Sequence, residues 1–331
     1  MFYIEPKSTD IAFNLAAEEY IMRNFPETEP VFMFWRTEKC VIIGRYQIAA
    51  AEIDLQAAHS LGIQIIRRSS GGGAVFSDPG NIMHSLITPF HQSSDDAKNI
   101  EREQSAGPIA RALNKMGINA IAEGRNDILA DGKKISGYAQ YALKNRLCTH
   151  GSLLYNADLD LLEKVLKTDP EKISSKALKS VRARVMNLCE YFDPPITAAV
   201  FLERLKLCLL NEMNAEYYEF TEKDIKEINR IRSEKYANPE WITGNTPRFS
   251  FHNSKRFAAG KIEIFLDVEH GIIKACQIFG DFLGVFPVGE LEEKLISRPH
   301  DFGALSEILT KIDLRFYLGG IKLEELLECL F

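Results

Sequence analysis

Residues 67–81 read RRSSGGGAVFSDPGN, and this stretch is the most informative part of the sequence. It follows an apolar run at residues 63–66 that predicts a β-strand. Three consecutive glycines lack Cβ atoms, so the backbone can adopt positive φ and approach a bound group closely. Successive N–H groups in such a loop bind anions, and Arg67 and Arg68 add positive charge. We therefore expect a phosphate or carboxylate site, with a tight turn between two strands as the alternative.

The composition is that of an ordinary globular protein. Of 331 residues, 46% are hydrophobic and 26% are charged, which suits one large and one small domain. The net charge of −6 and the isoelectric point near 5.8 argue against nucleic acid as a partner. No apolar run has the length of a membrane span and the start of the chain lacks a signal-peptide core, so we expect no membrane partner. Six scattered cysteines without a CxxC pair fit unpaired thiols in the cytoplasm.

Local patterns predict alternating helices and strands in the first three quarters of the chain. Residues 8–10 (STD) favour the start of a helix. Two apolar runs, 31–35 and 41–43, predict a β-hairpin. Residues 220–236 are heavily charged and predict a helix with a solvated face.

The composition changes at residues 238–249, which are rich in Pro, Gly, Asn and Thr and predict a domain boundary. Beyond it, residues 261–268 alternate between apolar and polar, as a half-buried strand does. We expect an α/β (α+β) chain with a catalytic domain over residues 1–245 and a small accessory domain over residues 246–331.

A second candidate segment is GRNDILADGKKISG, which contains Asn126 and Asp127. Its Asp131-Gly132 pair predicts a two-residue hairpin turn, which places Lys133 and Lys134 at the start of the returning strand. A carboxylate near phosphates commonly holds Mg²⁺, and a strand lysine can neutralise charge that develops in a phosphoryl-transfer transition state. The alternative is that both lysines are exposed hairpin residues, because neighbouring side chains alternate faces.

Two further motifs leave both a functional and a structural interpretation open. His150 in THGS can orient or hydrogen-bond a ligand, or it can be a structural strand histidine. Arg182 and Arg184 share one face if that segment is extended, and are otherwise ordinary surface arginines. The chain has no GxxxxGK[ST], GxSxG or HExxH motif, and the GGG run lacks the context of a dinucleotide fold. From the residues alone, we expect an enzyme that binds a phosphorylated ligand between a glycine loop and a lysine hairpin.

In their order along the chain, four segments strongly resemble lipoate–protein ligases: RRSSGGGAVFSDPGN, GRNDILADGKKISGYAQ, THGSLLYNADL and SVRARVMNL. The resemblance covers about residues 10–190. It continues more weakly through WITGNTPRFSF and IFGDF, which look like the accessory C-terminal domain of the long bacterial form. It implies a catalytic domain like that of biotin protein ligases, with mixed sheets flanked by helices, followed by a small α+β domain.

The resemblance also implies an activity, which is ATP- and Mg²⁺-dependent conversion of lipoic acid to lipoyl-AMP. The lipoyl group then passes to a lysine of apo lipoyl domains in 2-oxoacid dehydrogenases or of the glycine-cleavage carrier protein. Lys134 is the implied catalytic residue, and Asp127 is the implied metal ligand. The residues implied to bind ATP or the adenylate are Arg68, Ser70, Gly73, Ala74, Val75, Phe76, Asn126, Lys134, Arg182 and Arg184. The residues implied to bind lipoate are Phe13, Leu15, Trp35, Phe76, Asn81, Lys134, Ala139 and His150.

One position departs from the family pattern, because Ser77 stands where many relatives carry histidine. Two other functions remain open. An ATP-independent octanoyl or lipoyl transferase would use a cysteine nucleophile, for which Cys148, near His150, is the candidate. A non-catalytic lipoate-binding protein is expected to lack Lys134 or the glycine run, and both are present.

Overall fold

The structure, a computed structural model, describes residues 1–90, 106–123, 126–166, 184–243 and 251–331. The strands are β1 (Phe2–Ile4), β2 (Val31–Trp35), β3 (Cys40–Ile43), β4 (Gln64–Arg67), β5 (Val75–Ser77), β6 (Asn81–Pro89), β7 (Ala120–Glu123), β8 (Asp127–Ala130), β9 (Lys133–Leu143), β10 (Arg146–Leu154), β11 (Glu216–Tyr217), β12 (Phe251–Phe257), β13 (Gly260–Glu269) and β14 (Ile272–Gly280). The α-helices are α1 (Ile11–Asn24), α2 (Ala49–Glu52), α3 (Leu55–Ser60), α4 (Gly107–Lys115), α5 (Leu159–Val165), α6 (Ala198–Met213), α7 (Glu222–Ile231), α8 (Pro239–Thr243), α9 (Gly289–Leu295), α10 (Phe302–Thr310), α11 (Arg315–Leu318) and α12 (Leu323–Leu330). A 3₁₀ turn lies at Leu188–Tyr191 and a π-helical turn at Arg232–Tyr236.

The largest sheet has the strand order β11-β1-β2-β6-β10-β9-β8-β7. Strand β1 is parallel to β11 and β2, and the remaining pairs are antiparallel, so the sheet is mixed. Alternate residues of each strand face opposite sides. One face packs against α1 and the other against α4 and α6, which gives two apolar cores. The expected mixed sheets with flanking helices are confirmed.

A smaller sheet carries the glycine loop, which we define as residues 68–74. Its order is β4-β3-β5, with β3 parallel to β4 and antiparallel to β5. The glycine loop therefore connects two strands that flank β3, and is not a turn between paired strands. The predicted hairpin of residues 31–35 and 41–43 is wrong, because β2 belongs to the large sheet and β3 to the small one. Every residue of both strands is buried, and strands buried on both faces do not indicate which strand pairs with which.

The predicted helices at both ends of the catalytic region start at side-chain caps. The Asp10 carboxylate accepts an N–H bond from the first turn of α1. Thr221 and Asp224 form a capping box at the start of α7. The charged segment that contains α7 is not simply a solvated face, since Ile228 and Ile231 are buried in the core around α1.

The C-terminal unit consists of the antiparallel sheet β12-β13-β14 with α9 to α12, so the expected small α+β unit is present. It contacts the glycine loop directly, because the Gly72 N–H donates to the Phe282 carbonyl at 2.9 Å. The Tyr46 ring stacks on Phe282 with a centroid distance of 5.0 Å. The proposed boundary at residues 245/246 lies outside the described residues. Across the described ranges, none of the helices combines the length and the apolar character that crossing a membrane requires.

Candidate active site

A cavity opens between the glycine loop, strands β9 and β10, and the C-terminal unit. Its polar lining includes Arg68, Asn126 and Lys134, together with backbone of the glycine loop. Its apolar lining includes four side chains of the core around α1, which are Leu15, Trp35, Ile42 and Met83, and also Ala74, Val75 and Leu283. Ala139 and His150 also line it. Most of the residues that the sequence singled out are thus brought around one cavity, and such a lining suits a ligand with an apolar chain and an anionic end.

The buried Arg68 side chain fixes the glycine loop by hydrogen bonds to residues of the loop itself. Its guanidinium donates to the carbonyls of Gly71 at 2.6 Å and Gly73 at 2.8 Å, and its Nε donates to Ser70 Oγ at 2.9 Å. A third nitrogen donates to the Ile42 carbonyl of β3. Burial lowers the pKa of Arg68 to about 10, so the group stays positively charged at neutral pH. Arg68 therefore fixes the loop and brings a positive charge to the cavity wall.

Arg67 has a different role from its neighbour. It is the last residue of β4 and points away from the cavity. Its Nη1 donates to the carbonyls of Gly44, Arg45 and Gln47 at 2.7–2.9 Å, and its Nε donates to the carbonyl of Trp241. We conclude that Arg67 joins the turn after β3 to α8, and that of the two arginines only Arg68 brings its positive charge to the cavity side of the loop.

The three glycines meet three different requirements. A Cβ on Gly71 would lie 2.4 Å from the Phe282 carbonyl oxygen, so a side chain there would displace the C-terminal unit. Gly72 has φ +87°, and a Cβ would lie 2.9 Å from Cδ2 of Leu283. A Cβ on Gly73 would meet no protein atom within 4 Å. Because Gly73 lines the cavity, the open space beside it is available to a ligand.

Lys134 reaches the cavity because of an irregularity in the sheet. The β8–β9 register shifts so that Ile128 pairs with Ser136 and Leu129 pairs with Lys134, which leaves Ile135 as an extra residue. A bulge of this kind re-aims the neighbouring side chain. The Lys134 ammonium then lies 2.9 Å from where a Cβ of Gly137 would be, so Gly137 provides its space.

The Lys134 ammonium forms an ion pair with Asp127, with Nζ 2.7 Å from Oδ1. Both side chains are about one-third exposed, at 37% and 32%, so solvent or a ligand can reach both. The neighbouring Asn126 donates its amide to the Tyr138 carbonyl at 2.7 Å, which fixes the start of β8 against β9. Among the described residues, Asp127 is the carboxylate that pairs with Lys134. One carboxylate combined with substrate phosphates is a donor set that Mg²⁺ accepts, so Asp127 fits the metal role implied by the sequence.

The segment after Arg184 runs beside Lys134. Val185 forms a β-bridge with Lys134, and the Met186 N–H donates to the Lys134 carbonyl at 3.0 Å. Arg184 itself is exposed and does not line the cavity. Arg182 lies outside the described residues.

Several other residues implied by the resemblance lie behind the cavity wall. Phe13 is partly buried in the core around α1. Phe76 is buried in the small sheet's core, and the Asn81 amide donates to its carbonyl at 3.4 Å. Ser70 is fully buried, between Arg68 and His150. Their assignments to ligand binding stay predictions.

Ser77, the departure from the family pattern, does not face the cavity. It is fully buried, and its Oγ lies 2.8 Å from Thr37 Oγ1. The downstream Asp78 accepts N–H bonds from Gly80 and Asp158 at 2.8 Å, so the DPGN turn has a structural explanation.

Cys148 is fully buried and lies outside the cavity lining. Burial raises the pKa of its thiol well above the usual range, which disfavours the thiolate that nucleophilic attack requires. Cys148, Glu18 and His150 bring their ligand atoms within 4.8 Å of one another. Both ring nitrogens of His150 are already within hydrogen-bond distance of Glu18 and Ser70, so we interpret this group as a hydrogen-bonded network.

The residues at or behind this cavity that the sequence did not indicate include Ile42, Met83, Leu283 and Glu18. Ile42 and Met83 are apolar strand residues without a local signal. Leu283 comes from the C-terminal unit, and the segment IFGDF just before it carried only a weak resemblance. Glu18, on α1, is buried against His150. A glutamate that directly follows the apolar run Leu15–Ala17 was the available signal, since buried carboxylates are rare unless they are paired.

The fold and cavity define a class of enzyme that holds an apolar acid beside a glycine-rich anion-binding loop and a lysine. Residues 10–209 match the lipoyl protein ligase A/B catalytic domain, and residues 246–330 match the bacterial lipoate protein ligase C-terminus. The chain therefore belongs to the lipoate–protein ligase family.

Individual relatives are similar over the whole chain. Lipoate–protein ligase 1 of Staphylococcus aureus is 38% identical over 97% of this chain and 96% of its own length. Lipoate-protein ligase LplJ of Bacillus subtilis is 36% identical, with 100% of both chains covered. The structure of P. falciparum LipL1 in complex with lipoate matches with a TM-score of 0.78 at 25% identity, over 94% of each chain. A lipoate-protein ligase A bound with ATP matches with a TM-score of 0.62 at 26% identity, over 73% of this chain and 98% of the other.

Proposed function

We propose that this enzyme uses ATP to convert lipoate to lipoyl-AMP and then transfers the lipoyl group to a lysine of an apo lipoyl domain. The observation that carries the proposal is the single cavity in which apolar side chains, the Arg68-organised glycine loop and Lys134 meet. Relatives with matching folds are described as bound to lipoate or to ATP, which supports the same two substrates here.

In the first step, a lipoate carboxylate oxygen attacks the α-phosphorus of ATP. The new C–O–P bond forms as the bond to the β-phosphate oxygen breaks, and pyrophosphate leaves. The carboxylate and the triphosphate repel each other, so the site must hold both anions in line. We assign Arg68 and the glycine-loop backbone to the nucleotide, and the side chains of Leu15, Trp35, Ile42 and Met83 to the acyl chain.

We assign Lys134 to the space between the two reacting groups. An ammonium has three N–H donors, so Lys134 can keep its ion pair with Asp127 while it contacts the carboxylate and the α-phosphate. A fixed positive charge there stabilises the negative charge of the transition state. Mg²⁺, held by Asp127 and the phosphates, would neutralise further phosphate charge.

In the second step, the acceptor lysine amine attacks the lipoyl carbonyl carbon. The amide bond forms, the bond to the AMP oxygen breaks, and the amine loses a proton. A solved archaeal system pairs a bipartite lipoate protein ligase with its E2 lipoyl domain, which supports lipoyl domains as acceptors. We extend the proposal to the glycine-cleavage carrier protein and place the reaction in the cytoplasm.

The cysteine-dependent transferase is the less favoured alternative, because Cys148 is buried, has a raised thiol pKa and does not line the cavity. A non-catalytic binding protein does not need a lysine positioned by a bulge beside a glycine loop, and this chain has both.

The proposal is tested by lipoate-dependent exchange of labelled pyrophosphate into ATP, with Mg²⁺ and without acceptor protein. We expect exchange with lipoate and none without it, because only carboxylate adenylation makes pyrophosphate release reversible. Absence of exchange, together with lipoyl transfer between carrier proteins that needs no ATP, would replace the proposal with the transferase.

A further inference from the structure

A continuous chain of hydrogen bonds joins the apolar and polar linings of the cavity through one buried glutamate, Glu18. We call it the Glu18 relay, and it consists of Trp35, Ser85, Glu18, His150, Ser70 and Arg68. Trp35 and Arg68, at its two ends, line the cavity. Glu18, near its middle, is only 1% exposed and does not line the cavity.

On the acyl side, the relay starts at the indole of Trp35. Its Nε1–H donates to Ser85 Oγ at 2.8 Å. The Ser85 hydroxyl in turn donates to Glu18 Oε1 at 2.5 Å. The rotamer of Trp35 is therefore tied to the Glu18 carboxylate.

On the loop side, the relay runs through His150. Its Nδ1 lies 2.9 Å from Glu18 Oε2, and its Nε2 lies 2.6 Å from Ser70 Oγ. Ser70 Oγ also accepts the Arg68 Nε–H bond at 2.9 Å. The same guanidinium holds the carbonyls of Gly71 and Gly73.

The partners of each group favour one direction for the protons of the relay. A guanidinium can only donate, so Ser70 Oγ accepts from Arg68, and we assign the Ser70 hydroxyl proton to the bond with His150 Nε2. His150 must then carry its own proton on Nδ1 and donate it to Glu18. This assignment comes from the network of partners, and it gives every member of the relay a hydrogen-bond partner.

Ser70, His150 and Glu18 have the order of a Ser–His–acid triad, but the surroundings of Ser70 are not those of a nucleophile. Ser70 is fully buried, does not line the cavity, and accepts a bond from Arg68. An acyl carbonyl in the cavity therefore cannot reach its oxygen without displacing the loop. We interpret the three residues as an orienting device for Arg68.

We propose that Glu18 is a positioning residue that couples the two substrate regions, so that an acyl chain packed against Trp35 strengthens nucleotide binding at the glycine loop. This inference rests on the proposed assignment of the cavity to lipoate and ATP. Hydrogen bonds in a buried network support one another in the low local dielectric. A ligand that orders Trp35 also orders Arg68, because Glu18 connects the two side chains. Binding of a second ligand at the loop then costs the protein less conformational entropy.

Glu19 provides a matched control on the same helix. It is 2% exposed, and its carboxylate pairs with Lys235 at 2.7 Å and with Arg23 at 2.5 Å. These bonds involve no member of the Glu18 relay, although Lys235 also donates to Ser69 Oγ in the glycine loop. Glu19→Gln thus removes the same charge from the adjacent buried position and leaves the relay intact.

The experiment measures the Kd of α,β-methylene-ATP, with Mg²⁺, in the presence and absence of saturating lipoamide. Lipoamide has the chain and dithiolane of lipoate but no negative charge, so charge repulsion does not mask the coupling. We expect lipoamide to tighten nucleotide binding about fivefold or more in the wild type and in Glu19→Gln. In Glu18→Gln the tightening is lost, because the amide replaces one acceptor oxygen by an N–H₂ donor, and this donor faces either the Ser85 hydroxyl or His150 Nδ1 and breaks the relay there.

Ser70→Ala breaks the relay at its other side and must abolish the same coupling. The double variant Glu18→Gln/Ser70→Ala is expected to lose no more than either single variant, since groups in one network are not additive. Thermal unfolding of each variant checks that it is folded.

The inference is overturned if lipoamide leaves the wild-type Kd unchanged, or if Glu18→Gln and Ser70→Ala keep the wild-type coupling. Pyrophosphate exchange on the same wild-type preparation separates this from failure of the proposed function. Exchange without coupling contradicts only the relay, whereas absence of exchange contradicts the enzyme assignment itself.

Discussion

Gly73→Ala tests whether the absence of a side chain at this position is needed for nucleotide binding and not for folding. A Cβ at this position meets no protein atom within 4 Å, and Gly73 does not have a positive φ. Alanine therefore fits the backbone, and its smaller unfolded-state entropy should raise the free energy of unfolding by about 0.4–1 kcal/mol. The added methyl projects into the cavity, where we expect it to raise the KM for ATP about tenfold, a loss of about 1.4 kcal/mol.

The two neighbouring glycines are the controls for this prediction. Gly71→Ala places a Cβ 2.4 Å from a backbone oxygen of Phe282, and Gly72→Ala puts alanine at φ +87°. Each should lower the free energy of unfolding by about 1–3 kcal/mol. The same methyl group is thus expected to destabilise the protein at two positions and not at the third.

Urea unfolding and steady-state pyrophosphate exchange on the three variants measure both quantities. The reasoning is refuted if Gly73→Ala exchanges pyrophosphate with the wild-type KM for ATP, because the glycine loop then does not touch the nucleotide. A Gly73→Ala protein as unstable as Gly71→Ala would contradict the geometry of the loop.

Three further predictions concern other parts of the site and its core. Lys134→Ala should lower the rate of adenylate formation about 10²–10³-fold with unchanged thermal unfolding. The control Lys133→Ala, one residue away and exposed, should keep the wild-type rate of pyrophosphate exchange. A Lys134→Ala variant with the wild-type rate would contradict the catalytic assignment. Leu283→Ala should raise the KM for lipoate or ATP about three- to tenfold, since Leu283 lines the cavity. The control Leu291→Ala, in the core of the C-terminal unit, should lower the free energy of unfolding by about 2–5 kcal/mol at unchanged KM. Equal KM values in the two variants would exclude a role for Leu283 in the site. Burial lowers the pKa of His84 to about 3, below the unfolded value of about 6.5. Because the unfolded chain then binds the extra proton, the free energy of unfolding falls from pH 6.5 towards pH 3. Urea unfolding should show that His84→Phe removes about 2 kcal/mol of the wild-type loss between pH 7.5 and pH 5, and an unchanged pH dependence would show that His84 is not buried in the neutral form.

Local chemistry made much of the site predictable. The Asp131-Gly132 turn forms as expected, with both residues at positive φ, and it starts β9 at Lys133. Arg67 and Arg68 are adjacent at the end of a strand, so their opposite directions follow from strand alternation. The cap at Asp10 likewise followed from residue type alone.

The remaining features depend on contacts that are distant in sequence. The β8–β9 bulge reverses the alternation that would otherwise turn Lys134 away from the cavity, and no local residue pattern signalled it. Gly71 is required by a carbonyl of Phe282, more than 200 residues further along the chain. The separation of β2 and β3 into two sheets likewise depends on which strands flank them, since both runs are fully buried.

The central claim is that a lipoate carboxylate attacks the α-phosphorus of ATP in this cavity. The most direct test uses lipoate labelled with ¹⁸O in both carboxyl oxygens, with ATP, Mg²⁺ and an apo lipoyl domain. We predict that one ¹⁸O atom appears in AMP for each lipoyl group transferred, and that Lys134→Ala forms labelled AMP about 10²–10³-fold more slowly. Lipoylation that leaves AMP unlabelled, or that proceeds without ATP, would contradict the claim.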